Sequence, residues 1–161
     1  MKLATVLSIV FLASTTFGNQ NPVTTSEVNT PDPIRELNRV WQEYTTLDGV
    51  RIEYRLITCG DGVNVREQNI VVFRFSNQTS DQKTLSWKTK LFRDGECMNC
   101  HRIDDSENMH EIILNPNQIL ESDCSSTKDQ SLYIFDNYVK YVPGMTKTRL
   151  TDFELTDLTI N

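Results

Sequence analysis

Val50-Arg51-Ile52-Glu53-Tyr54-Arg55-Leu56 alternates apolar and charged side chains along its whole length. Successive side chains of a strand point to opposite faces, so strict alternation puts one face in a core and the other in water. A helix would scatter the same residues around its axis. Asp48-Gly49, directly before the run, supplies residue types that accept the backbone of a tight turn. The stretch reads as a half-buried antiparallel strand.

The same signal recurs along the chain. Gly60-Asp61-Gly62 breaks it. Gln68–Asn77 then forms a stronger strand, with Val71, Phe73 and Phe75 on one face. After a polar turn over Asn77–Asp81, Thr84–Phe92 alternates again, with Leu85, Trp87 and Leu91 inward and Lys88 and Lys90 outward. Asp94-Gly95 is another turn. Met109–Leu114 is a short strand ended by Asn115-Pro116-Asn117, and Ser131–Phe135 is the next, followed by a loop punctuated by Pro143-Gly144. Arg149–Ile160 closes the chain, with Phe153 and Leu155, then Leu158 and Ile160, two residues apart. The one segment with helical spacing is Ile34–Tyr44, where Asp32 is placed to cap, Pro33 suits the first position, and Ile34, Leu37, Val40 and Trp41 recur at three- and four-residue intervals. Trp41 and Tyr44 equally suit the start of a first strand. Short strands parted by turn signals predict an all-β fold, an immunoglobulin-like antiparallel sandwich of about seven strands, preceded by a short helix or tether. The antibody-type core pair is missing: Cys59 ends its strand and Cys124 lies in a loop, so they do not face inward across Trp87.

The N-terminus reads as an export signal. Met1-Lys2 is a short basic start, Leu3–Leu12 an apolar run, and Ala13–Gly18 a small-residue stretch with Thr16 and Gly18 at the positions a leader peptidase reads. The apolar run is short of the roughly 20 residues needed to span a bilayer. The expected organisation is a signal peptide over residues 1–18, a polar tether over 19–33 and one sandwich domain over 34–161. The chain has 161 residues and a formal charge of −6. That length excludes a TIM barrel or a multi-span membrane protein. An acidic surface argues against nucleic acid as partner.

Export places the four cysteines in an oxidising compartment, where pairing is the default. Cys97-Met98-Asn99-Cys100-His101 also matches C-x-x-C-H, the attachment sequence of c-type haem. There the two thiols bond the porphyrin and the histidine is the proximal ligand, with Met98, Met109, His110 or Met145 as candidates for the sixth position. Against this, the motif follows a strand and a turn, and the Arg102–Asn108 stretch after it is charged. The same residues allow a zinc site from Cys97, Cys100 and His101, or a redox-active pair, though no thioredoxin-like setting is visible. The preferred reading is structural disulfides. Two kinds of pairing fit: Cys97–Cys100 with Cys59–Cys124, or Cys59 and Cys124 each with one of the close pair. A Cys59–Cys124 bridge would add roughly 4 kcal/mol on the chain-entropy model.

No nucleophile elbow, phosphate loop or H-E-x-x-H sequence occurs. Glu96, Asp104, Asp105, Glu107 and Glu111 gather around His101 and His110, a pattern that reads as a solvated loop before a metal or acid–base cluster. Asn77-Gln78-Thr79 is a formal glycosylation sequon. Trp41, Trp87, Phe73, Phe75, Tyr133 and Phe135 sit at strand spacing and read as core. Tyr138 and Tyr141, flanking Lys140 before Pro143, are the better candidates for an exposed contact surface.

The order W-x-x-Y and D-G-V-x-I-x-Y over Trp41–Cys59, N-x-x-V-V-F-x-F-x-N over Asn69–Asn77, and L-T-D-F-E-L over Leu150–Leu155 resembles small exported β-sandwich proteins of Bacteroidota. The resemblance covers about residues 40–160. It implies a periplasmic, outer-membrane-associated or extracellular location, and some such proteins are linked to type IX secretion and gliding. The expected function is therefore non-enzymatic: binding of another protein in the envelope or outside the cell, as an accessory part of a secretion or surface complex. No cofactor is expected. The rival is a c-type haem or metal-binding electron carrier using Cys97, Cys100 and His101.

Overall fold

The computed structural model describes residues 40–60, 67–125 and 129–161. The expected leader, tether and first residues of the N-terminal helix lie outside these. The described residues form strands β1 (Gln42–Leu47), β2 (Val50–Cys59), β3 (Gln68–Asn77), β4 (Lys83–Arg93), β5 (Glu96–Cys97), β6 (Met109–Leu114), β7 (Ile119–Glu121), β8 (Tyr133–Tyr138) and β9 (Leu150–Ile160), with three short 3-10 turns and no α-helix among them. All pairings are antiparallel. One sheet runs β1-β2-β3, and β7 and β8 share the far edge of β3. In the other, β9 takes one edge of β4 while β6 and β5 share the opposite edge.

The two sheets face each other through one core. Val71, Phe73 and Phe75 from β3 and Val50 and Ile52 from β2 meet Leu85 and Trp87 from β4 and Phe153 and Leu155 from β9. Aromatic rings carry much of this contact: Phe75 and Trp87 are 5.2 Å apart, and Phe73 and Phe153 are 5.5 Å apart at 84°. The inward faces expected for Val50–Leu56, Gln68–Asn77 and Thr84–Phe92 are the inward faces found.

Turn chemistry sets the register. Asp48 (φ 45°) and Gly49 (φ 77°) close the β1–β2 hairpin, and Asp94 (φ 50°) and Gly95 (φ 84°) close β4–β5. Both are two-residue turns with positive φ at each centre, whose twist matches that of the strands they join. A Cβ at position 49 would also collide with the Thr79 side chain. On β9 the inward phase slips by one residue between Leu155 and Leu158. A bulge at Asp157 (φ 52°) absorbs it: Ser86 and Lys88 face Thr159 and Thr156.

Three expectations are corrected. The helix over Ile34–Tyr44 is absent from its described part, because Gln42–Leu47 is strand β1. Tyr44 stacks on Phe153 at 5.7 Å and its hydroxyl accepts from the Leu155 N–H at 2.9 Å, a contact that fixes it to the core side. The strand expected over Ser131–Phe135 starts later. Asp129 accepts from the Ser131 N–H at 2.9 Å and holds a 3-10 turn over Gln130–Leu132, so β8 begins at Tyr133. The count is nine rather than about seven, since β5 and β7 are too short to show a period.

Candidate functional site

The C-x-x-C-H loop closes a gap in a sheet edge. β6 pairs with β4 over Lys83–Lys88 and β5 over Phe92–Arg93, leaving the backbone of Thr89–Leu91 without a strand partner on that side. Asn99 fills the gap with its side chain. Its Oδ1 accepts from the Leu91 N–H at 3.0 Å, and its Nδ2 donates to the Thr89 carbonyl at 2.8 Å and to Asn108 Oδ1 at 2.6 Å. The Met98 N–H donates to the Leu91 carbonyl at 2.8 Å. Asn99 is 6% exposed, between two cysteines joined to each other, Cys97–Cys100. His101 is exposed on a short 3-10 turn. Both sulfurs are bonded to each other, and the residue between them is committed to β4.

Cys59 is bonded to Cys124, which resolves the connectivity. Cys59 lies on the outer face of its sheet beside Ile70 and Val72. β7 runs on the far side of β3, and the Ser122 N–H still donates to the Phe73 carbonyl at 3.1 Å. Two residues later the chain has crossed β3 to reach β2. The bridge thus straps a loop across the outside of the sheet, which frees the rest of the β3 edge for β8. It does not join the two sheets. Trp41, Ile57, Tyr133 and Phe135 pack on the same outer cluster, so these aromatics split: Phe73, Phe75 and Trp87 are core, and Trp41, Tyr133 and Phe135 belong to the outside.

The acidic residues around the histidines are dispersed. Asp104 pairs with Lys88 at 2.7 Å, Asp105 and Glu107 with Arg102 at 3.8 Å, and Glu111 accepts from the Ser86 hydroxyl at 3.2 Å. Among the described residues no three His, Cys, Asp or Glu side chains converge as a metal site would require. His110 faces inward against Trp87, ring centroids 5.4 Å apart, and burial pushes its pKa below the ordinary value, with Asp129 opposing weakly. It borders a cavity of about 210 Å³ at the open side between the sheets, with Arg93, Ser131, Phe73 and Leu91. Among the described residues no hydrogen bond joins Ser131 to His110. The sequon asparagine is structural. Asn77 is 3% exposed, its Nδ2 donates to the Asp81 and Asn115 carbonyls at 2.7 and 3.0 Å, and its Oδ1 accepts from the Thr79 N–H and hydroxyl.

The surface around Tyr138, Lys140 and Tyr141 is a pocketed one. Phe135 and Tyr138 pack with centroids 5.0 Å apart, and with Tyr141, Met145, Asn137 and Thr148 they line a cavity of about 230 Å³. Lys147 places its ammonium 5.8 Å from the centre of the Tyr141 ring. Lys140 is exposed, and Val139 and Val142 are 42% and 47% exposed on either side of the Lys140-Tyr141 pair. The wall behind is pinned by hydrogen bonds. A bulge at Asp136 turns the Phe135 and Asp136 carbonyls onto the Arg93 guanidinium, each at 2.6 Å, and the Asp136 carboxylate accepts from the Leu150 N–H at 2.9 Å. Arg93 and Asp136 thereby tie the end of one sheet to the other behind the cavity. Of the three residues singled out from the sequence, Tyr138 and Tyr141 line the cavity and Lys140 does not. Phe135 and Met145 come from a strand and a distant part of the loop and share no local spacing with the two tyrosines.

Fold and site together define a two-sheet antiparallel β protein with two disulfides and an aromatic surface cavity. Among the described residues no helix is long and apolar enough to cross a membrane. Compared with known proteins, the chain matches no family model, no curated protein and no solved structure.

Proposed function

We propose that this chain is an exported, non-enzymatic, immunoglobulin-like sandwich that acts by binding another protein in the cell envelope or outside the cell, through the surface around Tyr138, Lys140 and Tyr141. One observation carries the reading. Apolar side chains are left in solvent at Val139 and Val142 beside an aromatic cavity, on a loop backed by the Arg93–Asp136 tie. Loops held on a rigid sandwich are where such folds place recognition. The leader-like N-terminus and the paired cysteines agree with an oxidising compartment. The resemblance to exported sandwiches of Bacteroidota points to an accessory role in a secretion or surface complex.

The test is a photo-reactive amino acid placed at position 142, and in a second variant at exposed position 113 on the other sheet, each expressed in the native host. A discrete cross-linked protein from position 142 alone supports the reading. No adduct at 142, or equal adducts at both positions, overturns it, as does substrate turnover by the pure protein that depends on His101.

A further inference from the structure

We infer that the cavity between β8 and the loop after it takes one aromatic side chain from an acidic, extended protein segment. The inference rests on the binding role just proposed and names the chemistry of the partner.

Charge is the first argument. Residues 137–151 contain Lys140, Lys147 and Arg149 and no carboxylate, so all 22 acidic side chains of this chain lie elsewhere. The nearest acid in sequence on the strand side, Asp136, is 1% exposed and turned onto the Leu150 N–H. Of the four cations on β4, three are engaged: Lys88 is held by Asp104 and Asp157, Lys90 by Glu154, and Arg93 by two carbonyls. Lys140, Lys147 and Arg149 are exposed, and none makes an ion pair with a described residue. The Asp94 carboxylate accepts from the Arg149 N–H at 3.3 Å without pairing with its guanidinium, so three exposed cations remain beside the cavity and favour an anionic partner segment.

Size and lining are the second argument. At about 230 Å³ the cavity is smaller than the roughly 300–1,000 Å³ of sites that enclose a drug-sized molecule. It suits a single side chain, as an anchor pocket at the centre of a protein interface does. Its walls include Phe135, Tyr138, Tyr141 and Met145, rings and a thioether that pack well on another ring, with Asn137, Thr146 and Thr148 beside them. The Tyr141 hydroxyl is buried in this wall and makes no hydrogen bond with the described residues. The exposed Val139 and Val142 extend the apolar contact along the chain on either side.

The experiment is fluorescence anisotropy of the oxidised, folded chain with a labelled peptide that carries one phenylalanine between glutamate pairs. The controls are the same peptide with alanine for phenylalanine, the same peptide with lysines for glutamates, and an oligogalacturonate. The acidic phenylalanine peptide should bind and weaken as salt is raised. The alanine and lysine peptides should each bind about tenfold more weakly or worse, and Lys140→Glu with Lys147→Glu should cost a similar factor. Equal binding of the lysine peptide, no saturation by any peptide, or preferential binding of the oligogalacturonate overturns the inference. Cross-links from position 142 together with a failed acidic peptide would remove the inference and leave the binding role standing.

Discussion

Asn99 shows how a motif acquires a use other than the chemistry it resembles. In the reading from sequence it is a spacer between two cysteines. In the fold its amide supplies both a donor and an acceptor to the unpaired edge of β4, as a strand residue would. An unpaired buried backbone group costs about 1–3 kcal/mol. Asn99→Ala strips the Leu91 N–H and the Thr89 carbonyl of their partners at once and removes the donor to Asn108. It should destabilise the fold by about 2–4 kcal/mol, read as a lower urea midpoint at unchanged slope. His101→Ala, at the exposed neighbouring position, should be close to neutral. Equal effects of the two substitutions would contradict this account of the loop. Nothing local marks Asn99 as special, because its partners are eight and ten residues upstream on a strand whose pairing is set elsewhere.

Among the elements, those with a clean period were legible and those shaped by tertiary contact were not. Val50–Leu56 and Gln68–Asn77 declared their inward faces through alternation, and Asp48-Gly49 and Asp94-Gly95 declared their turns through residue type. β1 did not. Trp41 and Tyr44 stand three apart, which suggests one face of a helix, yet Trp41 lies on the outer side beneath the Arg55 and Arg74 guanidiniums while Tyr44 packs on Phe153 in the core. Strand parity puts positions three apart on opposite faces, so the same spacing serves both structures. The cysteine pattern left the connectivity open for a similar reason: only the path of the chain across β3 brings Cys124 to Cys59. The two bridges should differ in worth. Cys59 and Cys124 are 65 residues apart, and removing that bridge by Cys59→Ser with Cys124→Ser should cost about 4 kcal/mol on the chain-entropy model. Cys97 and Cys100 are 3 apart, and the same change there should cost about 2 kcal/mol. Thermal melts of the two double variants would check the order, and a reversed order would mean that the short bridge, through Asn99, carries the sheet edge.

For the whole molecule, the buried titratable groups set how the fold responds to acid. His110 has its pKa depressed, chiefly by burial, from an ordinary 6.5. The folded state therefore binds its proton less readily than the unfolded chain does, and the stability it confers is present above that value and lost as pH falls through the lower, folded one. Glu53 is also depressed, from an ordinary 4.5, first by the hydrogen bond from Arg74 and then by the Arg74 and Arg51 charges, against the opposing cost of burial. It is 3% exposed, with Arg74 at 2.7 Å and Arg51 at 3.1 Å, and its contribution disappears only further down, below 4.5. Asp157, depressed by its bond to Lys88, adds to that lower range, although Asp157 is open to water and screening keeps the pair weak. Both effects have the same sign, so the urea midpoint should hold level from pH 8 to about 7, fall through the histidine range, and fall again below about 4.5. His110→Phe keeps a ring against Trp87 and should flatten the upper fall while leaving the lower one. Glu53→Gln should shrink the lower fall and leave the upper one. An upper fall that survives in His110→Phe would assign it to some other group and remove the buried histidine from the account.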